Sequence, residues 1–127
     1  MPVSQQDRAV VEGVFKAMHE RAAGEKAMMT LYADNAVVTE PFSGQPRTHK
    51  GKEAIRKWFL ESVKEMPEDM MIKMDRIDMD AGKVRAEWTC TSQVFPTPMR
   101  GYDLYGIKNG KIESADFVVT EMPPMGP

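Results

Sequence analysis

The sequence predicts one α+β domain: a curved antiparallel or mixed β-sheet wrapped around a long helix. Two further helices come before it. Three observations carry this expectation. Helical apolar spacing is confined to residues before about 66, and period-two alternation dominates beyond it. The strongest helical stretch, GKEAIRKWFLESVKEM, is followed at once by Pro67. Two glycine turns, Ala81-Gly82 and Asn109-Gly110, split the C-terminal half into hairpins. Helices gathered ahead of antiparallel strands pack as a layer on one sheet face. At 127 residues, positions 1–127 make one domain, with 121–127 read as an irregular, proline-rich tail.

The elements follow in order. Ser4, with Asp7 three residues on, forms a capping box, and Val10, Val11, Val14, Phe15 and Met18 then recur on one helical stripe. Gly24 is the expected stop or hinge. A short second helix carries Met28, Leu31 and Tyr32 on one face until ADNA breaks it, because Asp and Asn compete for backbone hydrogen bonds. Residues 36–42 read as a strand that Pro41 ends. SGQPRTHKG is turn-rich, with a short extended piece at 47–49. The third helix lines up Ile55, Trp58, Phe59, Ser62, Val63 and Met66. MIKMDRIDMD is a strand whose parity shifts, as a bulge would cause. In KVRAEWTCTSQVF, Val84, Ala86, Trp88 and Cys90 face inward. MRGYDLYGIK and KIESADFVV close the sheet as a hairpin.

Composition excludes several classes. A net charge of -2 and the lack of a basic stripe argue against nucleic acid. No stretch approaches the length of a membrane span, and MPVSQQDRAV has no basic-then-apolar leader pattern, so a cytoplasmic protein is expected. The single Cys90 has no metal-ligand spacing and is expected to be an inert buried thiol. No metal or cofactor is expected. The 12 methionines fill irregular apolar space.

Two carboxylates stand out. Glu40 ends a β-branched run, and Asp103 shares a strand face with Tyr105 and Ile107, which point to the core. A buried acid must be paired or protonated, and a neutral Asp can donate a hydrogen bond to a ligand oxygen. One ionised and one neutral acid in a single pocket supply a base and an oxyanion donor.

LYADNAVVTEPFSGQPRTHKGKEAIRKWF resembles the corresponding segment of bacterial delta-5-3-ketosteroid isomerases, and the resemblance runs from Val10 to about Val119. Those enzymes belong to the nuclear-transport-factor-2-like superfamily, with polyketide cyclases, scytalone dehydratase and limonene epoxide hydrolase. The resemblance implies a cone fold with an apolar pocket, no cofactor, and a homodimer through the outer sheet face. It implies that Glu40, ahead of Pro41, is the general base, where the isomerases usually carry Asp. Asp103, with Tyr105 two residues on, matches their protonated Asp, and Tyr32 matches a supporting tyrosine. Two tyrosines of that pattern are missing, since Phe15 and Phe59 occupy their places.

The expected activity is therefore proton transfer alpha to the carbonyl of a small apolar, steroid-like ketone. Glu40 is the base and Asp103 the donor. From helix α-stripes and strand parity, Val14, Phe15 and Met18 line the pocket from the first helix, with Tyr32 and Phe59. Val84, Ala86, Trp88, Ala115, Phe117 and Val119 line it from the sheet. The alternatives are a non-catalytic binding protein for an apolar molecule, or a cyclase, dehydratase or epoxide hydrolase of the same superfamily. The last needs an Asp-Arg-Asp cluster, and Arg100 lies on the opposite face from Asp103. Dehydratase chemistry needs pocket histidines, and His19 and His49 read as surface residues, the second in a turn.

Overall fold

The computed structural model describes residues 2–124. Helix α1 is Gln5–Glu20, and Ser4 caps it, its Oγ accepting from the Asp7 amide at 3.1 Å. Its buried face is Val10, Val11, Val14, Phe15 and Ala17, the stripe expected. The helix stops at Arg21, which adopts φ 58, before the Gly24 foreseen as its end. Tertiary contact decides this. The Arg21 guanidinium donates to the carbonyls of Val63, Met66 and Pro67, satisfying groups that the end of the third helix leaves unpaired. Gly24 instead closes a 3-10 turn, Arg21–Gly24, packed so tightly that a Cβ there would stand 2.3 Å from the Ala17 carbonyl oxygen.

Helix α2 (Glu25–Leu31) leads directly into β1 (Tyr32–Glu40). Tyr32 is thus the first residue of a strand and not the last of a helix, and the strand begins earlier than the expected 36. The exposed Asp34 and Asn35 fall in an irregularity of the pairing between Tyr32 and Val37, so a bulge absorbs them. After a turn, β2 (Arg47–Lys50) runs back antiparallel to β1. His49 therefore lies in a strand rather than in a turn.

Helix α3 (Lys52–Glu65) buries Ile55, Phe59 and Val63 against the sheet. Then come β3 (Met71–Asp80), β4 (Lys83–Thr91), β5 (Met99–Lys108) and β6 (Lys111–Glu121). Both expected hairpin turns are present: Ala81 and Gly82 have φ 50 and 84, and Asn109 and Gly110 have φ 53 and 76. Two successive positive φ values match the twist of the flanking strands. The expected bulge in β3 lies between Met74 and Arg76.

The six strands form one curved sheet in the order β2-β1-β6-β5-β4-β3, antiparallel except for the parallel β1–β6 pair. The helices cover its inner face. Its outer face is polar: Arg85 sits 3.6 Å over the Tyr102 ring and pairs with Glu87 and Asp80. Of the expected tail, Glu121 still belongs to β6 and Pro123 is fully buried. Residues 125–127 lie outside the described residues.

Register fixes what meets on the inner face. One row across the sheet reads His49, Val38, Ala115, Tyr105, Val84 and Met79. In the next, Arg47 faces Glu40, and Phe117, Asp103, Ala86 and Ile77 are successive partners. Thr39 pairs with Asp116, so Glu40 comes beside Phe117 and the two parts make one row. Glu40 and Asp103 are thus two strand spacings apart, about 10 Å along the backbone, with Phe117 between them.

Candidate functional site

The acidic end is built on β5. Asp103 is 8 % exposed and held by two donors. Trp88 Nε1 donates to Oδ1 at 2.8 Å, and the Tyr105 hydroxyl donates to Oδ2 at 2.7 Å. Tyr105 lies two residues on, so period-two alternation brings its side chain to the same face. Trp88 reaches the carboxyl from β4, where it pairs with Gly101. Burial pushes the Asp103 carboxyl up to about 7, against the opposing pull of the hydrogen bonds from Tyr105 and Trp88. Neutral and ionised forms are therefore balanced near neutral pH. Burial and the neighbouring Asp103 charge push the Tyr105 hydroxyl up as well, and the same two causes act on Tyr32. Tyr32 is 2 % exposed, and among the described residues its hydroxyl has no hydrogen-bond partner.

The basic end is built on β1 and β2. Pro41 ends β1, so Glu40 is its last residue, 1 % exposed. Three donors converge on the carboxylate. The Phe42 amide donates to Oε1 at 2.8 Å, and Oε2 accepts from Arg47 Nε at 2.9 Å and is 2.8 Å from His49 Nε2. Arg47 is the direct cross-strand partner of Glu40, and His49 lies diagonally beside it. As an acceptor only, the carboxylate requires that Nε2 carry the ring proton. The His49 ring stacks on Trp58 of α3, with centroids 5.2 Å apart and planes 22° apart.

An aromatic cluster joins the two ends. The Phe117 ring stands 5.8 Å from Trp58, 6.2 Å from Phe42 and 6.3 Å from Tyr105, centroid to centroid. The arrangement offers a hydrogen-bond donor at one end and a carboxylate-backed imidazole at the other, over an apolar floor. Among the described residues no group of three or more His, Cys, Asp or Glu is placed to hold a metal ion. No helix among them is long and apolar enough to cross a membrane.

Residues 11–115 match the family model of the SnoaL-like domain, which is most of the chain. The chain belongs to the SnoaL-like family. Solved structures agree in fold. A SnoaL-like polyketide cyclase, provisionally so named, from Jannaschia sp. CCS1 superposes with TM-score 0.77 at 10 % identity, over 94 % of this chain and 89 % of that one. A provisionally named ketosteroid isomerase from Kribbella flavida gives 0.71 at 16 % identity, covering 98 % of this chain and 84 % of that one. An NTF2-like protein of unknown function from Cytophaga hutchinsonii gives 0.69 at 13 % identity, over 94 % of both chains. No functionally curated protein matches the sequence.

Within this SnoaL-like chain the expected pocket residues sort by depth. Val14, Phe15, Tyr32, Phe59, Val84, Ala86, Trp88 and Ala115 are buried in the core, whereas Met18, Phe117 and Val119 are half-buried. Trp88, expected as pocket wall, is a buried hydrogen-bond partner of Asp103. Arg100 bonds Thr89 and pairs with Glu121, away from Asp103 as expected. His19 is exposed, as its place at the helix end suggested. His49 and Arg47 were missed. Hairpin closure held the signal, since pairing VVTE with RTHK across PFSGQP sets Arg47 opposite Glu40 and His49 opposite Val38. Cys90 is a free, buried thiol that burial pushes up to about 11.

Proposed function

We propose that the chain catalyses proton transfer alpha to a carbonyl in a small apolar, steroid-sized ketone. Glu40 belongs to the basic end of the site, and Asp103, when neutral, donates to the oxygen on which negative charge develops. The observation that carries this reading is the contrast between two buried acids on one row of the sheet. Glu40 lies among an arginine, a histidine and a backbone amide. Asp103 accepts only from the neutral Trp88 indole and Tyr105 hydroxyl and is pushed up to about 7 by burial. Separating the environments of two buried carboxyl groups in this way sets a proton-accepting end apart from a proton-donating one.

Removing the proton breaks a C–H bond, and its electron pair moves onto the carbonyl oxygen. Asp103 stabilises that charge in a buried site, where a fixed donor is worth more than in water. The buried Tyr32 hydroxyl, which feels the Asp103 charge and has no hydrogen-bond partner among the described residues, is a second donor for this end, taking the part that Phe15 cannot. Returning the proton to a carbon further along completes an isomerisation.

A second reading, in which the interior only holds an apolar ligand, is favoured by Phe15, which brings no hydroxyl to the site. Conjugation of a 3-oxo-5-ene steroid, followed by ultraviolet absorbance, separates the two. Catalysis requires turnover by the wild type and a loss of about 10²–10³ in Asp103→Ala, the effect of deleting one oxyanion donor. Steroid binding without turnover leaves the binding reading, and neither binding nor turnover removes both.

A further inference from the structure

Resting on that reading, we propose that His49 is the group that takes the proton and that Glu40 is its positioning residue. Glu40 is poorly placed to do this directly. Its side chain has no solvent exposure, and a carboxylate has about four acceptor sites, of which three are filled. His49 has the opposite profile. Its Nε2–H is spent on Glu40 Oε2, which leaves Nδ1 with the ring's lone pair. Among the described residues Nδ1 has no hydrogen-bond partner. The His49 side chain is 17 % exposed, and Trp58 holds the ring from the other side.

A buried carboxylate that fixes the tautomer of an imidazole and stabilises the imidazolium is a proven base arrangement. Here Arg47 Nε, 2.9 Å from the same Oε2, also holds Glu40 in place. The step balances without a co-reactant. The substrate C–H bond breaks, its electron pair goes to the carbonyl oxygen, and the proton goes to Nδ1. The Nε2–H remains bonded to Glu40. Return of the proton from Nδ1 to carbon restores the neutral ring.

The sequence concealed this arrangement because His49 lies in a four-residue edge strand flanked by turn residues. Its neighbours in space, Glu40 and Trp58, are nine residues away on either side.

The test uses a second probe that needs a base but no oxyanion donor. It is 5-nitrobenzisoxazole, an apolar carbon acid whose deprotonation opens the ring to a coloured phenolate. The expected result is that wild type accelerates this opening and that His49→Ala lowers kcat about 100-fold or more, with KM little changed. General-base contributions are of order 10²–10⁴. Added imidazole should restore part of the rate in His49→Ala but leave wild type unchanged.

His49→Gln keeps an N–H for Glu40 but has no basic nitrogen, so it should fold as wild type and remain inactive. Glu40→Gln should lower the rate less than His49→Ala, and the double variant should be no slower than His49→Ala alone. Three outcomes overturn the proposal: no acceleration by wild type, full activity in His49→Gln, or loss in Glu40→Gln alone. A proton-transfer site with the wrong substrate class would show normal behaviour with this probe and none with the steroid. That pattern rejects the ketone reading and keeps His49.

Discussion

Gly101 makes room for the indole of Trp88. A Cβ at position 101 would stand 2.6 Å from Trp88 Cζ2 and 2.2 Å from the Val118 carbonyl oxygen. The two residues are cross-strand partners, and the room matters because the indole must pass this point to donate to Asp103 two residues further along. Gly101→Ala should therefore cost about 1–3 kcal/mol of stability, the usual range for overpacking against backbone that cannot retreat. It should also lower activity through Asp103. Urea unfolding checks the first, and unchanged stability would show that Trp88 has other room.

Trp88→Phe removes one of the two donors that oppose the rise of Asp103. The Asp103 carboxyl should move further up, above about 7, because the lost N–H favoured the ionised form. Stability should fall by about 1–2 kcal/mol for the lost hydrogen bond. A carbon-detected titration of the Asp103 carboxyl reads the shift, and a downward move would contradict the contact.

The raised Asp103 also ties stability to pH. An aspartate in an unfolded chain titrates near 3.9, while this one is held at about 7, so the fold favours the proton. Its contribution is fully present below about pH 4 and is lost as pH rises through about 7. The whole swing is on the order of 4 kcal/mol. Asp103→Asn stays neutral throughout and lacks this slope. Wild type should accordingly lose stability relative to Asp103→Asn between pH 4 and 8 in urea titrations. A difference independent of pH would mean that Asp103 is ionised throughout.

The parts of this design that were legible in the sequence are those governed by short-range rules. Ser4, Pro67, Asn109-Gly110 and the alternation of Val84 through Cys90 each act within a few residues. Asp103 was legible because its strand parity agrees with Tyr105, and its burial follows from that parity. What sequence spacing could not give was decided by tertiary contact. Arg21 ends α1 early by reaching the carbonyls of Val63 and Met66, more than forty residues away. Tyr32 was assigned to a helix because its spacing from Met28 is helical, but pairing with Ile112 draws it into the sheet. The extended piece at 47–49 was legible, but the part played by Arg47 and His49 was not, because β2 is only four residues long and its polar side chains carry no alternation signal. Their meaning comes from the strand opposite.

The Glu40–Arg47 pair gives the last prediction. Glu40 has no exposed side-chain surface, whereas the Arg47 side chain is 49 % exposed. Removing the arginine thus strands a buried charge, while the arginine itself is readily solvated when its partner goes. Arg47→Met should cost about 1–2 kcal/mol, at the low side of a charge-assisted hydrogen bond because His49 and the Phe42 amide still hold the carboxylate. Glu40→Gln removes the charge that made the loss expensive, so in that background Arg47→Met should cost less than about 0.5 kcal/mol. A double-mutant cycle by urea unfolding measures the coupling directly. Additive losses would show that Arg47 stabilises β2 by packing and that its charge is irrelevant to Glu40. Coupling near 1 kcal/mol would show that the arginine acts through its bond to the Glu40 carboxylate behind His49.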